Sequence, residues 1–149
     1  MQRFHKEKNS RIGTPIIVAN STTIAIADPL TIDDDGFLIV ATAGTKIIGF
    51  AKEAIVSDLD NETVDETTIG YIEATPGIEM VYTSDQACVQ TDVGAYADLS
   101  GTTGAITINL SAGANGQFLV KAFDPEGDGD TDLVVVEVAE PQNRAFAQS

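Results

Sequence analysis

The sequence predicts an all-β protein that folds as a single compact antiparallel β-barrel or β-sandwich. Two observations favour this class directly: short runs rich in Thr, Val and Ile alternate polar and apolar positions, and turn signals recur at the spacing typical of sandwiches and barrels. A third is that no run of helical periodicity exceeds about ten residues. A chain of 149 residues suits one domain with flexible ends, and it can bury a sizeable core without disulfides.

Turn residues divide the first half of the chain into short predicted strands. Residues 33–36 form a strong turn signal, because Asp tolerates left-handed backbone and Gly adopts positive φ at low cost. We expect the strand after this turn to pair as a hairpin with the strand that follows the break at Gly44. The strands predicted in this half cover residues 16–18, 22–27, 37–40 and 46–51.

The second half begins with an acidic loop over residues 57–66, which has little apolar content. Alternation then predicts one strand with Ile69 and Tyr71 on one face, and a later strand with Ile106 and Ile108 on one face. An acidic turn separates the last two strands. The predictions are strands over residues 67–73, 78–83, 87–90, 93–97, 105–110, 118–123 and 133–138, with a helical turn over 52–57 or 84–87.

Charge divides the chain into a basic N-terminal arm and an acidic body. Residues 1–11 hold four of the eight basic residues and one acidic residue, so their net charge is +3 and the rest of the chain carries −18. Such a segment is either a solvated terminus or an arm that orders on a partner through charge-assisted contacts. We expect an extended N-terminal arm over residues 1–15, a β-domain over 16–140 and a C-terminal tail over 141–149.

The composition also limits the classes of partner and the compartment. A net charge of −15 disfavours nucleic acid and anionic membranes as partners, since like charges repel. No apolar run approaches the roughly 20 residues that span a bilayer, and no signal-peptide pattern follows the charged first residues, so we expect synthesis in the cytoplasm. The single cysteine, Cys88, rules out an intrachain disulfide, and we expect it to be a small buried side chain.

The sequence lacks the residue patterns that mark most enzymes. Its one histidine, His5, lies in the expected arm, where nothing would hold a catalytic imidazole in orientation. No nucleophile elbow, phosphate-binding loop, dinucleotide fingerprint or zinc-protease motif occurs. Pairs of hydrolytic carboxylates stay open in so acidic a chain, although the absence of Trp argues against a sugar-binding cleft. We expect a non-enzymatic protein with no cofactor and no small-molecule substrate.

The acidic segment Asp124–Asp132 is a candidate calcium loop, because alternating carboxylates supply hard oxygen ligands. It fails the EF-hand pattern, since counting from Asp128 the sixth position is Leu133 and the twelfth is Ala139. The alternative is a hairpin turn in which glycines allow the reversal and water solvates the acids. We favour the turn and predict no metal site.

Two segments carry a resemblance to a known family. The first is DPLTIDDDGFLIVATAGTKIIGFAKEAI, and the second is FLVKAFDPEGDGDTDLVVVEV. They resemble the core hairpin and the closing hairpin of tailed-bacteriophage capsid decoration proteins, also called cement or head-stabilising proteins. The resemblance covers roughly residues 28–139 and consists of general β-hairpin chemistry. The chain departs from it in the acidic loop 57–66 and in its overall acidity.

The resemblance implies a fold, a location and a partner. Members of this family are compact β-barrels or β-tulips with an N-terminal arm, and they bind as homotrimers at threefold positions of the expanded head. The implied partner is the major capsid protein, whose neighbouring subunits are bridged against the pressure of packaged DNA. The implied location is the outer capsid surface of the virion, after synthesis in the host cytoplasm.

By position, the N-terminal arm matches the segment that family members lay along the capsid. We expect its charged and aromatic residues to contact capsid protein and its apolar residues to add a strand to a capsid sheet, with Pro15 limiting the pairing to one edge. Deleting residues 2–14 should then abolish capsid binding and leave the fold intact. The predicted contact residues are Arg3, Phe4, Lys6, Lys8, Arg11, Ile12, Ile16, Ile17 and Val18.

Three other functions stay open from the sequence. The main alternative is a carbohydrate- or host-surface-binding module, such as a head fibre or an adhesin domain, which exposed aromatic clusters would favour. A calcium-dependent β-domain is the second, and an enzyme is the third.

Overall fold

The computed structural model describes residues 1–139 and confirms the all-β class. The predicted tail, residues 141–149, lies outside the described residues. The strands are β1 (Gln2–Glu7), β2 (Thr23–Ile24), β3 (Pro29–Ile32), β4 (Leu38–Val40), β5 (Gly49–Ala51), β6 (Ile55–Val56), β7 (Tyr71–Glu73), β8 (Ile78–Ser84), β9 (Tyr96–Thr102), β10 (Ala105–Asn109), β11 (Phe118–Phe123) and β12 (Leu133–Val138). A π-helical turn covers Asn61–Asp65 and a 3-10 turn covers Gln90–Asp92.

Strands of the second half of the chain close into a five-stranded barrel, in the order β8, β10, β9, β11 and β12. The barrel closes because β12 also pairs with β8, with Val135 opposite Val81. All its pairings are antiparallel except that of β8 with β10, where Thr107 lies opposite Thr83 in a parallel register. In a closed barrel every strand has a neighbour on both sides, so backbone N–H and C=O groups find hydrogen-bond partners except where strands diverge.

The first half of the chain forms a smaller sheet in the order β4, β3, β5 and β7, with β2 and β6 paired separately. The predicted hairpin of residues 37–40 with 46–51 is wrong, because β3 lies between the two strands. Leu30 of β3 faces Val40 of β4 on one side and Gly49 of β5 on the other. The first three residues of β3 are all buried, so the strand lacks the alternation that would have revealed it.

The predictions of buried positions are confirmed, whereas one predicted strand and both predicted helical turns are wrong. Ile69, Tyr71, Ile106 and Ile108 are all buried as the alternation predicted, and Cys88 is buried as well. The predicted strand over 87–90 is wrong, because the chain there approaches a 3-10 turn. The predicted helical turns over 52–57 and 84–87 are also wrong, since β6 occupies 55–56, β8 extends to 84, and the helical turns lie at 61–65 and 90–92.

Three apolar clusters fill the described residues: a small one of Val81, Leu133 and Val135, and two larger ones that both contact Val40. The largest one fills the barrel around Met80, Tyr82 and Phe118, and it also includes Phe50 and Ile72 of the small sheet. The second largest packs under the small sheet. Because side chains of both sheets share the largest cluster, residues 1–139 form one domain. Each fully buried large apolar side chain stabilises it by about 1.5–3 kcal/mol.

The first seven residues are part of this domain, which corrects the predicted extended arm. β1 pairs antiparallel with β8, with Gln2 opposite Tyr82 and Phe4 opposite Met80. The Phe4 ring packs edge-on against Phe50, with ring centroids 6.4 Å apart. A bulge at His5 shifts the register. The sequence pattern indicates this strand only weakly, because Phe4 is its one large apolar residue and the residues on both sides of Phe4 are Arg3 and His5.

Residues 11–19 are also paired within the protein, which corrects the prediction that residues 12–18 are available for strand addition. Gly13 N–H donates to the Tyr71 carbonyl of β7 (2.8 Å), and Leu38 N–H of β4 donates to the Ile17 carbonyl (2.9 Å). The segment therefore runs from one outer strand of the small sheet to the other. Gly13 is required there, because a Cβ atom would lie 2.0 Å from the Tyr71 ring.

A buried carboxylate, Asp28, joins three parts of the chain. It accepts hydrogen bonds from the Gln2 side-chain amide (2.7 Å), the Ala25 N–H (2.8 Å) and the Gly104 N–H (2.9 Å), and also from the Thr103 hydroxyl. It is completely shielded from solvent. Its partners are β1, the connection between β2 and β3, and the turn between β9 and β10, so this one side chain connects the N-terminal strand to both sheets.

We predict that Asp28→Ala destabilises the protein by about 2–4 kcal/mol, because several buried donors lose their acceptor at once. Chemical denaturation followed by far-UV circular dichroism measures the change. Asp34→Ala is the matched control. Asp34 is exposed in the turn after β3, and its removal should change stability by less than about 0.5 kcal/mol. Equal stability of the two variants would contradict the role given to Asp28.

Candidate functional site

The predicted contact residues separate into buried and exposed groups in the structure. Phe4 packs on the core, and the Arg3 guanidinium donates to the Glu126 carboxylate at 2.9 Å. Ile16 and Ile17 are half-buried and Val18 is fully buried. These residues therefore hold β1 and the following segment on the domain, and their side chains are largely unavailable to a partner.

Four of the predicted residues remain exposed, and they lie on one short segment. Lys6, Lys8 and Arg11 are exposed, and within residues 1–139 none of them forms an ion pair. Ile12 is 83% exposed, the most exposed large apolar side chain of the described region. We call residues 6–12 the basic rim.

The basic rim borders a groove of about 450 Å³. Its lining includes Ser10 and Ile12 of the rim and Tyr71 and Ile72 of β7. Backbone pairing holds the rim segment alongside β7, since Glu73 N–H donates to the Arg11 carbonyl at 2.8 Å. The groove is lined by Ser10, Ile12, Lys52, Glu53, Gly70, Tyr71 and Ile72.

Polar side chains around the groove are held in place by their own partners. The Lys52 ammonium lies 2.8 Å from the Glu7 carboxylate and 4.2 Å from the centroid of the Phe4 ring. The Glu53 carboxylate accepts the Gly70 N–H. Both ions of the Lys52 pair are more than a third exposed, so the pair orients the side chains more than it stabilises the fold.

Tyr71 is part of the groove lining and is only 4% exposed. Its hydroxyl donates to the Thr14 carbonyl at 2.8 Å. Burial, with a smaller contribution from the Glu73 carboxylate, raises the pKa of Tyr71, so the hydroxyl stays protonated and keeps this hydrogen bond at neutral pH. The mostly apolar lining of the groove can bind an apolar or amphipathic group.

The candidate calcium segment Asp124–Asp132 forms the turn between β11 and β12. Its carboxylates accept backbone N–H groups of the same turn: Asp124 bonds Asp128 and Gly129, and Asp128 bonds Asp130. Arg3 neutralises Glu126 from outside the turn. These hydrogen bonds explain the acidic residues as turn formers.

Three other carboxylates lie together on the acidic loop. The sequence indicates this loop but does not predict the cluster. Ligand oxygens of Asp58, Asp60 and Asp65 lie within 4.8 Å of one another, and all three residues are exposed. The loop is anchored by buried Asn61, whose side-chain amide donates to the Val18 carbonyl at 2.6 Å. The sequence shows the spacing of these acids, but only the folded loop shows that a π-helical turn brings them together.

His5, the one histidine, is exposed on β1. Within residues 1–139 its side chain forms no hydrogen bond. An imidazole without an orienting partner is a poor general base.

A second groove, of about 410 Å³, lies beside β2 and β6. Its lining is mostly apolar, and Val56 at its edge is 76% exposed. It has no charged residue in its lining, in contrast to the groove at the basic rim.

No protein-family model, no curated protein and no solved structure matches this chain. Within residues 1–139, no helix is long and apolar enough to cross a membrane.

Among the three carboxylates of the acidic loop, Asp65 should have an abnormally high pKa. Hydrogen bonds to Asp58 and then Asp60 raise the pKa of Asp65 from 3.8 to about 6. Because the folded-state value is the higher one, this contribution to stability is complete below about pH 4 and is lost as the pH rises through about 6. Carboxyl-carbon NMR titration measures the pKa.

Asp58→Ala should return the Asp65 pKa toward 3.8, since it removes the larger of the two contributions. Asp33→Ala, in a different turn, is the control and should leave the Asp65 titration unchanged. A normal pKa for Asp65 in the unmodified protein would show that the three carboxylates do not share a proton.

Proposed function

We propose that this protein is a non-enzymatic capsid decoration protein of a tailed bacteriophage. It binds the outer surface of the head as a homotrimer and bridges neighbouring major capsid protein subunits. The observation that carries the proposal is the basic rim, where three exposed cations that form no ion pair within residues 1–139 and exposed Ile12 occur within seven residues on a body with strong negative charge. The segments that resemble decoration proteins form three strands of the small sheet, β3 to β5, the start of β6, and the hairpin of β11 with β12 in the barrel.

The mode of binding differs from the one expected from the sequence. The N-terminal residues are part of the domain, so they bind as a surface that is already ordered. Residues 11–19 keep their backbone partners in the small sheet, and no strand needs to be donated to the capsid. A preordered surface loses little conformational entropy on binding, which favours affinity from a small contact area.

Three copies acting together strengthen such a contact. Each copy in a trimer presents one basic rim, and once the first binds, the others bind at high effective concentration. A contact that is weak for one copy is then sufficient for stable attachment to a repetitive lattice. The acidic bodies face solvent, and their charge keeps the particles apart.

The fold suits a protein that carries mechanical load. The barrel is closed, and β1 is tied to it through the Asp28 hydrogen bonds and the ion pair of Arg3 with Glu126. Force applied at the basic rim therefore reaches the barrel through β1 and β7. Carbohydrate binding has less support, because Tyr96 is the one large aromatic side chain classed as exposed within residues 1–139.

The proposal predicts saturable binding to expanded heads. Purified full-length protein is mixed with decoration-free, expanded heads of the phage whose genome encodes it, and bound protein is measured after sedimentation. We expect binding that saturates at a stoichiometric ratio to the capsid subunit, with density at threefold positions in electron micrographs. Unexpanded proheads serve as the control. Absence of binding to expanded heads would contradict the proposal.

A further inference from the structure

We propose that Asn115 is a site of spontaneous deamidation, at which the Gly116 backbone nitrogen attacks the Asn115 side chain and an aspartate or isoaspartate forms. Asn115 lies in the loop between β10 and β11, and it is the one asparagine of the sequence that precedes a glycine. The reaction needs water but no partner protein, so it is independent of the proposed function. Its consequence is a second carboxylate beside buried Asp98.

The reaction uses only groups of the loop and one water molecule. The Gly116 backbone nitrogen loses its proton and forms a bond to Cγ of Asn115, the Cγ–Nδ2 bond breaks, and Nδ2 leaves as ammonia. Water then opens the resulting succinimide ring at either carbonyl, which gives aspartate or isoaspartate. Because the two reacting groups belong to adjacent residues, the attack is intramolecular and loses no translational entropy.

The structure leaves room for this attack. Asn115 is exposed. Gly116 has a φ of +60°, and apart from its chain neighbours no described atom lies within 4 Å of the place where a Cβ atom would be. Glycine adopts this backbone at low cost, and it has no side chain to shield the attacking nitrogen. Ring formation and the entry of water are therefore unobstructed on that side of the loop.

One hydrogen bond of the loop slows the attack. The Gly116 N–H donates to the Gly113 carbonyl at 3.1 Å, and this bond must open before the nitrogen can reach Cγ. Hydrogen bonds of exposed loops open more often than the whole protein unfolds. We therefore expect Asn115 to react more slowly in the folded protein than in the unfolded chain, but faster than Asn9 and Asn20, which each precede a serine.

Asp98 holds the reacting side chain, and it is the residue that the conversion disturbs. Asp98 is only 5% exposed. Its carboxylate accepts hydrogen bonds from the Asn115 backbone N–H, at 3.2 Å from Oδ1, and from Nδ2 of the Asn115 side chain, at 3.2 Å from Oδ2. A carboxylate at position 115 removes the second donor and brings two negative charges to hydrogen-bond distance. This repulsion disfavours the present conformation of the loop.

The loop leads directly into a buried connection between the two sheets. Gln117 is fully buried, and its amide donates to the carbonyls of Thr42 and Thr45 at 2.9 and 2.8 Å. The same side chain accepts the Leu99 N–H of β9 at 3.0 Å. Because Gln117 follows Asn115 by two residues, displacement of the loop pulls on this connection. Deamidation therefore weakens, as the protein ages, the contact of the barrel with the loop between β4 and β5.

The modification is tested by ageing the purified full-length protein at neutral and at mildly alkaline pH. Peptide mapping by mass spectrometry follows each asparagine over time, with Asn9 and Asn20 as internal controls because both are exposed. We expect Asn115 to convert at least about tenfold faster than either control, since a side chain on the following residue hinders the approach of the nitrogen. Conversion should accelerate as the pH rises, because the deprotonated nitrogen is the attacking form.

The variant Asn115→Gln is the matched control for the site. Its longer side chain would have to close a larger ring, so the aged variant should keep residue 115 as an amide while Asn9 and Asn20 behave as before. Conversion of Asn115 in the unmodified protein at the rate of Asn9 and Asn20 would overturn the proposal.

The consequence is tested with Asn115→Asp, which carries the product of the reaction from the start. The control is Asn9→Asp, because Asn9 is exposed and within residues 1–139 its side chain forms no hydrogen bond to a carboxylate. We expect amide hydrogen exchange over residues 110–117 to be at least about tenfold faster in Asn115→Asp than in Asn9→Asp. Equal exchange in the two variants would show that the added carboxylate does not loosen the loop, and the consequence assigned to deamidation would be wrong.

Discussion

The buried carboxylate of Asp28 is the constraint on which the arrangement of the two sheets depends. Its oxygens accept hydrogen bonds from β1, from the loop before β3 and from the turn between β9 and β10. Next to it, the buried Tyr82 hydroxyl donates to the Ala27 carbonyl at 2.6 Å, and burial raises the pKa of Tyr82. A buried polar group is tolerated only when it is hydrogen-bonded, so the donors around Asp28 hold these segments together.

This constraint explains why the basic residues are exposed on one side. Gln2 is fixed by Asp28, and Phe4 enters the core beside Phe50, so β1 cannot leave the domain. The segment 6–12 that carries the exposed cations is then held on the domain, and its Ser10 and Ile12 line the groove beside β7. A mobile arm would distribute the same charges over a large volume, whereas the fold concentrates them at one fixed surface.

Several parts of the fold and of the candidate site could be predicted from local patterns. Alternation placed Ile69, Tyr71, Ile106 and Ile108 correctly on the buried face, because the period of two is a local property of a strand. The position of β3 between β4 and β5 could not be predicted, since its buried residues carry no alternation. The exposure of Ile12 was also hidden, because an isoleucine within a sequence gives no sign of which neighbour will cover it.

The sequence by itself determined the all-β class, the acidic body with its basic N-terminal segment, and the absence of most catalytic motifs, since composition, turn residues and periodicity act locally. Tertiary structure decided that this segment begins as a strand of the domain and that its Ser10 and Ile12 line a groove beside β7. Both decisions depend on contacts between residues far apart in the chain, such as Gln2 with Asp28 and Ile12 with Ile72. Local propensity carries no information about such pairs, so the charge of the arm was predictable and its place on the molecule was not.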